Sequence, residues 1–357
     1  MLMTTSGSCS VPDHPIENKL LSAALAADQS DELAIAEPEY LSECSPKDRP
    51  WDQHRSQADQ VATIYLNAQD SRWFSRLGER VGMCSQVLGF AWSPEKDGSG
   101  VLTLKLRQAW FCRVRHCPVC QWRRSKMWMA RFLQATPGVV AQYPNARFIF
   151  LTLTRKNMPI TELRGALREM SRAWGRLTKR KEFAGVLGWI RAAEVTRAED
   201  GSAHPHYHAL LMVSADYFRR PEKYVTQAAW TAIWRDSLRL EYDPIVHVTA
   251  VKSKRAASGD GSPSAALMHA ARETLKYAVK PADMTAAPEW FLELTQQLHK
   301  LRFIASGGVL KDLLRENDET NDDLLVLGEG ETEEGSRLFF HWWRPVRRYK
   351  RRPRFDP

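Results

Sequence analysis

The chain has 357 residues, enough for one large domain or two of ordinary size, and its 43% hydrophobic residues are typical of a globular protein. No apolar run reaches the roughly eighteen residues of a membrane span, and the N-terminus lacks the pattern of a signal peptide, so we expect a cytoplasmic protein without membrane contact. The net charge is +9, and residues 51–315 alone carry 40 bases and 23 acids. This balance favours a polyanionic partner such as nucleic acid, although a merely soluble basic surface gives the same count.

The first part of the chain divides into an acidic segment and a mixed region. Residues 1–50 carry nine acids and three bases with scattered proline and serine, so we expect them to be largely disordered. Beyond them, the hydrophobic pattern predicts helices over residues 53–80 and 120–135 and a strand over residues 99–112. The second helix is expected to stop at Pro137-Gly138.

The second part alternates strands and helices. Strands are predicted over residues 147–154, 188–197, 203–213 and 245–252, and helices over residues 160–183, 225–242 and 265–280. This order favours an α+β fold with a central, mainly antiparallel sheet and helices beside it.

The end of the chain changes composition twice. Residues 316–334 hold nine acids and no base, which predicts a flexible linker, and residues 337–357 mix aromatics with eight bases. Such a tail suits phosphate contact and base stacking, or is simply solvated. We therefore predict four regions: a disordered segment (1–50), a zinc-binding and basic DNA-docking region (51–140), a catalytic domain (141–315), and an acidic linker with a basic aromatic tail (316–357).

Three histidines alternate along one predicted strand. His204, His206 and His208 would share a face, while Tyr207 and Ala209 would lie on the opposite, apolar face. Because neutral imidazole is the commonest metal ligand, we interpret the histidines as a metal site. The alternative is a chance cluster on a solvated face.

The preceding strand offers a carboxylate to the same site. With a three-residue loop at 200–202, Glu194 lies opposite His208, whereas a two-residue loop would turn it to the wrong face. Two imidazoles and one carboxylate suit Mg²⁺ or Mn²⁺ with positions open to phosphate oxygens. His204 lies further out, and we rank it behind His206 and His208.

Four cysteines predict a second, structural metal site. The set Cys84, Cys112, Cys117 and Cys120 contains a C-x₂-C pair and suits tetrahedral Zn²⁺, with His116 as a possible replacement for one thiolate. The alternative is free, buried cysteines. A basic helix begins here, and we expect it to dock on DNA through four side chains: Trp122, Arg123, Arg124 and Lys126.

A candidate nucleophile lies on the last predicted helix of the catalytic region. Glu273, Tyr277 and Lys280 would occupy its open side, opposite an apolar stripe. A tyrosine phenol has a pKa near 10, and a cation such as Lys280 with a nearby metal would favour phenolate. Glu273 would then serve as a general base. Taken alone, these residues also fit an ordinary amphipathic helix.

The three stretches occur in the order "FLTLT", "HPHYH" and "KYAVK". This set resembles the three motifs of the HUH endonucleases, above all the one-tyrosine replication initiators (Rep) of rolling-circle plasmids. The likeness spans roughly residues 80–314 and includes "FCRVRHCPVCQWRRSK", "YVTQAAWTAIWR" and "RFIASGGVLKDLL". It implies a central antiparallel sheet, Mg²⁺ or Mn²⁺, His206 and His208 as ligands, and Tyr277 as nucleophile.

The resemblance also implies roles for two residues near the tyrosine. Lys280 would be the lysine of the tyrosine motif, and Glu273 the carboxylate that ends the cycle by hydrolysis. Glu194 belongs to no named motif of the family and is predicted from geometry alone.

The reaction that the resemblance implies is transesterification at a plasmid origin, on single-stranded or supercoiled DNA. It leaves a 5′-phosphotyrosine link and a free 3′-OH, in a bacterial cytoplasm that supplies a helicase and a polymerase. A transposase or a conjugative relaxase of the same superfamily, and a non-catalytic zinc regulator that binds DNA, are the alternatives.

Overall fold

A computed structural model describes residues 39–68, 71–94, 100–251, 267, 271–275, 279–311, 319–326 and 337–352. The described residues from Tyr40 onward belong to one compact unit. The segment predicted to be disordered lies outside the described residues up to position 38. Its last residues form a short helix, Leu41–Cys44, and a 3₁₀ turn, Pro46–Asp48.

The helices, numbered in chain order, are α1 (Leu41–Cys44), α2 (Pro50–Leu66), α3 (Arg72–Met83), α4 (Pro118–Gln142), α5 (Leu163–Leu177), α6 (Gln227–Leu238), α7 (Pro281–Ala286), α8 (Pro288–Gln297) and α9 (Asn321–Leu325). The strands are β1 (Val87–Pro94), β2 (Leu102–Ala109), β3 (Arg147–Thr154), β4 (Val186–Arg197), β5 (Ala203–Val213), β6 (Val246–Ala250), β7 (Ile304–Gly308), β8 (Arg337–Trp343) and β9 (Arg348–Arg351). Among the described helices, none combines the length and hydrophobicity needed to cross a bilayer.

A five-stranded antiparallel sheet forms the centre of the second half of the chain. Its strand order is β6-β3-β5-β4-β7, which confirms the predicted α+β class with a mainly antiparallel sheet. Helices α5 and α6 cover one face, where Trp174 of α5 makes edge contacts with Trp189 and Tyr207, and Trp234 of α6 lies against Tyr207. The opposite face carries the histidines of β5.

A second, four-stranded sheet was not predicted. Its order is β2-β1-β8-β9, and its last two strands come from the segment predicted as a basic aromatic tail. Alternate residues of β8, namely Leu338, Phe340 and Trp342, are buried, and so is Tyr349 of β9. The tail therefore forms strands, which the prediction missed because the alternation of apolar and polar residues is hard to recognise among so many arginines.

Two helix boundaries also differ from the predictions. The helix predicted over residues 53–80 is two helices, since α2 ends before Asn67 and α3 begins with a Ser71 side-chain cap that accepts the Phe74 amide. Helix α4 continues through Pro137 to Gln142. A proline here removes the amide partner of the Leu133 carbonyl, and this stretch is exposed enough for water to replace it.

Gly308 is the residue at which β7 turns away from β4, and its backbone requires glycine. Its φ is +60°, and an added Cβ would overlap the carbonyl oxygen of Leu187. Gly308→Ala should therefore lower the free energy of unfolding by about 2 kcal/mol or more, measured by urea denaturation.

Gly165 provides the control for that measurement. It lies on the exposed face of α5, where an added Cβ meets nothing within 4 Å, so Gly165→Ala should leave stability unchanged or raise it by about 0.5–1 kcal/mol. Equal stabilities of the two variants would contradict the strain assigned to Gly308.

Candidate functional site

The hairpin of β4 and β5 fixes the position of the candidate catalytic metal site. Glu194 lies directly opposite His206, whereas a position opposite His208 was predicted. The reason is that the three-residue loop occupies 199–201 rather than 200–202, closed by the Ala198 amide donating to the Ser202 carbonyl at 2.9 Å. Because both ends of the loop move by one residue, each residue of β4 faces a position of β5 that is two residues earlier than predicted. A shift of two residues keeps a side chain on the same face of the sheet, so Glu194 stays on the predicted face.

Two imidazoles and one carboxylate converge at this point. Oε2 of Glu194 lies 2.9 Å from Nε2 of His208 and 3.2 Å from Nε2 of His206. These three residues form a group that can hold a metal ion, and Glu194 is only 5% exposed. Adjacent ligands of an octahedral ion at about 2.1 Å are about 3.0 Å apart, so the separations fit Mg²⁺ or Mn²⁺.

The outer nitrogens of both histidines face oxygen atoms. Nδ1 of His206 lies 3.3 Å from the carbonyl oxygen of His204. Nδ1 of His208 lies 3.3 Å from Oγ1 of Thr152. An Nδ1–H that donates to the carbonyl leaves the lone pair of His206 on Nε2, directed at the carboxylate. Two acceptors then face each other, and a cation between them removes the repulsion.

The charge of Glu194 is stabilised by the same contacts. Burial alone would raise the pKa of its carboxyl. When Nε2 of His206 and of His208 carries the hydrogen instead, each donates to Oε2 of Glu194, and these hydrogen bonds outweigh burial and hold the pKa well below its ordinary value. The carboxylate is therefore ionised at neutral pH, as a metal ligand must be.

Thr152 is a residue of this site that the sequence did not single out. It lies on β3 directly opposite His208, and Phe150 of the same face stacks on the His208 ring at 5.5 Å between centroids. The signal was present in "FLTLT", because a threonine at an alternate position of an apolar strand marks a polar spot on one face. His204 is outside the three-residue group, with its ring centroid 5.3 Å from that of His206.

The four cysteines of the predicted zinc site meet in the interior. Cys84 follows α3, Cys112 follows β2, Cys117 caps the N-terminus of α4, and Cys120 lies in its first turn. Sγ of Cys120 is 3.6 Å from both Cys84 and Cys112, close to the roughly 3.8 Å edge of a tetrahedron with Zn–S bonds of about 2.3 Å. The group therefore fits a four-coordinate metal ion such as the predicted Zn²⁺.

Hydrogen bonds at the sulfurs support the same assignment. The backbone amides of Cys112 and Val114 donate to Sγ of Cys84 and of Cys112. Burial raises the pKa of the Cys84 and Cys112 thiols, and a bound cation reverses this by stabilising thiolate. His116 is not in the group, since its ring lies edge-on against Phe291.

Three of the four side chains predicted to dock on DNA make contacts within the protein instead. Trp122 is buried against Trp51 and His54. Arg123 is buried and donates to the carbonyls of Leu324 and Leu325, both at 2.7 Å.

Arg124 makes a bidentate ion pair with Glu319 at 2.6 and 2.8 Å, and only Lys126 of the four has an exposed side chain. The structure thus does not support direct DNA contact by Trp122, Arg123 or Arg124. The partners of Arg123 and Arg124 lie in the segment that was predicted to be a flexible acidic linker, so this segment packs on α4 within the fold.

The segment of the predicted nucleophile is described only in part. Residues 271–274 are helical with Glu273 half-buried, but Leu275 and Val279 lie in bends and Lys280 is extended (φ −68°, ψ 136°). Lys280 therefore does not share a continuous helical face with Glu273, as the predicted helix 265–280 required. Tyr277 lies outside the described residues.

The fold and the site define an α+β protein with an antiparallel sheet and two candidate metal sites, a two-histidine, one-carboxylate group and a separate four-cysteine group. A family model described as replication protein (Rep_1) matches residues 103–350. The chain is 37% identical over 294 residues to a "Protein rep" of Lactiplantibacillus plantarum, covering 79% of this chain and 87% of that one. A "Protein rep" of Streptococcus pneumoniae is 32% identical over 305 residues, covering 83% and 90%.

The chain belongs to this family of replication proteins, which confirms the resemblance to the Rep initiators. A "Replication protein" of Staphylococcus aureus is 34% identical over 217 residues, covering 57% of this chain and 90% of that one. No solved structure matches the chain.

Removing one cysteine ligand should remove the structural metal. Purified protein should contain about one Zn²⁺ per chain by elemental analysis, and Cys117→Ser or Cys120→Ser should lose it and melt at a lower temperature. Cys44→Ser is the control, because Cys44 lies outside the group. Zinc-free wild-type protein of full stability would indicate that the cysteines are only buried thiols.

The second metal site is tested by binding rather than by activity. Titration calorimetry with Mn²⁺ should show one site with His204→Ala, as in the wild type, and at least tenfold weaker binding with His206→Ala, His208→Ala or Glu194→Ala. Equal losses in His204→Ala and His206→Ala would mean that the three histidines bind as a triple.

Proposed function

We propose that this replication protein initiates rolling-circle replication of a plasmid by nicking and rejoining one strand at the origin. The observation that carries the proposal is the convergence of His206, His208 and Glu194 on one point of an antiparallel sheet, in a member of the Rep family. Open coordination positions of such a site suit the oxygens of a phosphodiester. Mg²⁺ or Mn²⁺, when bound, supplies Lewis-acid polarisation of the scissile phosphate.

The protein's own groups hold the site ready for a substrate. Glu194 and His206 lie side by side on paired strands, and Thr152 and Phe150 restrict the His208 ring from the neighbouring strand. Rigid strands keep the ligands in place, so binding a phosphate requires little rearrangement. Apolar residues on the covered face, including Tyr207 and Leu211, anchor the strand from behind.

Tyr277 is the proposed nucleophile. Its phenolic oxygen attacks the phosphorus, the bond from phosphorus to the 3′ oxygen of the upstream nucleotide breaks, and that oxygen takes up a proton to become a free 3′-OH. The phenolic proton passes to a base or to solvent, and the downstream strand stays attached as a 5′-phosphotyrosine. Rejoining reverses these steps with a 3′-OH as the attacking group.

A hydrogen bond made by a residue that follows Tyr277 in the chain supports this role for the tyrosine. Oδ2 of Asp283 in α7 accepts from the backbone amide of Arg197 at 3.4 Å, near the loop end of β4 and three residues from Glu194. Tyr277 lies six positions before Asp283 in the chain, and six steps of extended chain span at most about 20 Å. The connection therefore limits how far the tyrosine can lie from the end of the strand pair that carries the metal ligands.

Glu273 and Lys280 are the proposed helpers of the tyrosine. Glu273 would take a proton from water or from a 3′-OH in the step that releases the DNA. Lys280, exposed at the start of α7, would contribute a positive charge near the phosphate. The four-cysteine zinc site would serve folding, since it joins the end of α3 to the start of α4.

The proposed partner is origin DNA of a bacterial plasmid, single-stranded or supercoiled. A host helicase would unwind it, and a host polymerase would extend the free 3′-OH in the cytoplasm. The basic balance of residues 51–315 supports a polyanionic partner without identifying its sequence.

Tyr277→Phe tests the proposal directly. With supercoiled plasmid that carries the cognate origin and with Mg²⁺, the wild type should give nicked circles with protein linked to the 5′ end. Tyr277→Phe should bind the origin normally but lower the nicking rate by at least about a thousandfold, because the attacking oxygen is gone.

Tyr224→Phe is the matched control, since Tyr224 is an exposed tyrosine on the loop before α6. It should nick at the wild-type rate. A covalent adduct of Tyr277→Phe at the wild-type rate would reject Tyr277, and origin binding by the wild type without any nicking would favour a non-catalytic regulator.

A further inference from the structure

One face of the four-stranded sheet presents a column of rings. Along β8, Leu338, Phe340 and Trp342 point into the core, so the alternate residues Phe339, His341 and Trp343 share the opposite face. We call these three residues the aromatic face. None of the three is among the buried core residues, and Trp343 is 38% exposed.

The rings of the aromatic face are spaced along an extended strand. Alternate residues of a strand lie about 6.8 Å apart, and the ring centroids of His341 and Trp343 are 5.8 Å apart. Nζ of Lys350, which is paired with His341 on β9, lies 4.5 Å from the centroid of the Trp343 ring. A ring and an ammonium group therefore meet at the same point on the surface.

The neighbouring strand β1 carries small residues next to the rings. Its residues on this face include Gly89, opposite Phe339, and Ala91, opposite Arg337. A Cβ added at Gly89 would come within 3.0 Å of the Phe339 ring, so glycine allows that ring to lie low over the sheet.

All charged residues in the strands of this sheet are basic. Its four strands contain six bases and no acid. The bases are Lys105, Arg107, Arg337, Arg348, Lys350 and Arg351. Lys105 lies opposite Ala91, across β1 from the aromatic face, so bases occur on both sides of the rings.

The local charge also affects His341. Burial lowers its pKa first, and Arg352 and Lys350 lower it further. The ring is therefore neutral at pH 7 and offers a flat face rather than a charge. Neutral rings beside ammonium groups suit a ligand with flat bases and a phosphate backbone.

We propose that the aromatic face binds single-stranded DNA, with bases stacked on Phe339, His341 and Trp343 and phosphates near Lys350 and Lys105. Stacking on rings tolerates any base, so the binding is independent of sequence. The inference rests on the proposed function only for the kind of strand, because nicking at an origin produces unpaired DNA. It assigns a role to a segment that the catalytic site does not use.

The test measures binding of fluorescein-labelled dT20 by anisotropy. Trp343→Ala should bind about tenfold more weakly than the wild type, and Trp343→Phe should stay within about twofold because a ring remains. Lys350→Gln should lower the slope of log K against log salt by about 0.7, the value for one phosphate contact on a single strand. Binding of a 20-base-pair duplex should be the same in Trp343→Ala and the wild type.

Trp92→Ala is the matched control, since Trp92 is 44% exposed and points to the other face of the same sheet. It should bind dT20 like the wild type, and thermal melting should show that all variants are folded. Wild-type affinity of Trp343→Ala for dT20, equal losses for dT20 and duplex, or tighter binding of rU20 than of dT20 would each overturn the proposal.

The two proposals fail separately. The anisotropy assay measures binding without cleavage, so a failure of the nicking assay leaves the anisotropy result standing. Loss of dT20 binding in Trp343→Ala likewise supports the aromatic face whatever the identity of the nucleophile.

Discussion

The antiparallel register of β4 and β5 is the constraint on which the candidate catalytic site depends. Glu194 meets His206 because these positions pair across the hairpin, and His208 joins them because β5 also pairs with β3 at Thr152. A slip of one residue would turn Glu194 to the helix-covered face, and a slip of two would carry it about 7 Å along β5. β5 is held on both sides by long ladders, which makes either slip costly.

Helix α7 links this sheet to helix α4, whose first turn contains Cys120 of the four-cysteine group. The cysteines bring together the ends of α3 and β2 and the start of α4. Nε2 of Gln121, in the first turn of α4, lies 3.6 Å from the sulfur of Met284 in α7, and Asp283 of the same helix accepts from the Arg197 amide. A short helix thus contacts both Gln121, which follows Cys120 in α4, and the end of the strand with Glu194.

Several arginines stabilise the fold rather than a bound polyanion. Arg55 is fully buried and donates to the carbonyls of Val81 and Gly82 and to Asp59. Arg191 is buried on the helix-covered face of the sheet, opposite the candidate metal ligands, with its guanidinium 4.0 Å from the centroid of the Tyr207 ring. The excess of bases in residues 51–315 therefore overstates the surface that is available to DNA, because buried guanidinium groups find carbonyls and aromatic rings as partners.

The sequence by itself determined the α+β class, the strands with the motif residues, and the grouping of the four cysteines, because strand periodicity and the spacing of the cysteines are local properties. The sequence also put Glu194 on the same face as His206 and His208, because moving a three-residue loop by one position shifts the pairing by two residues and leaves each side chain on its face. Tertiary structure alone decided which histidine lies opposite Glu194, and it assigned Arg123 and Arg124 to partners about 200 residues away. Tertiary structure also decided that the basic tail forms β8 and β9. These strands need the edge of β1 to pair with and a hydrophobic core on which their apolar residues pack.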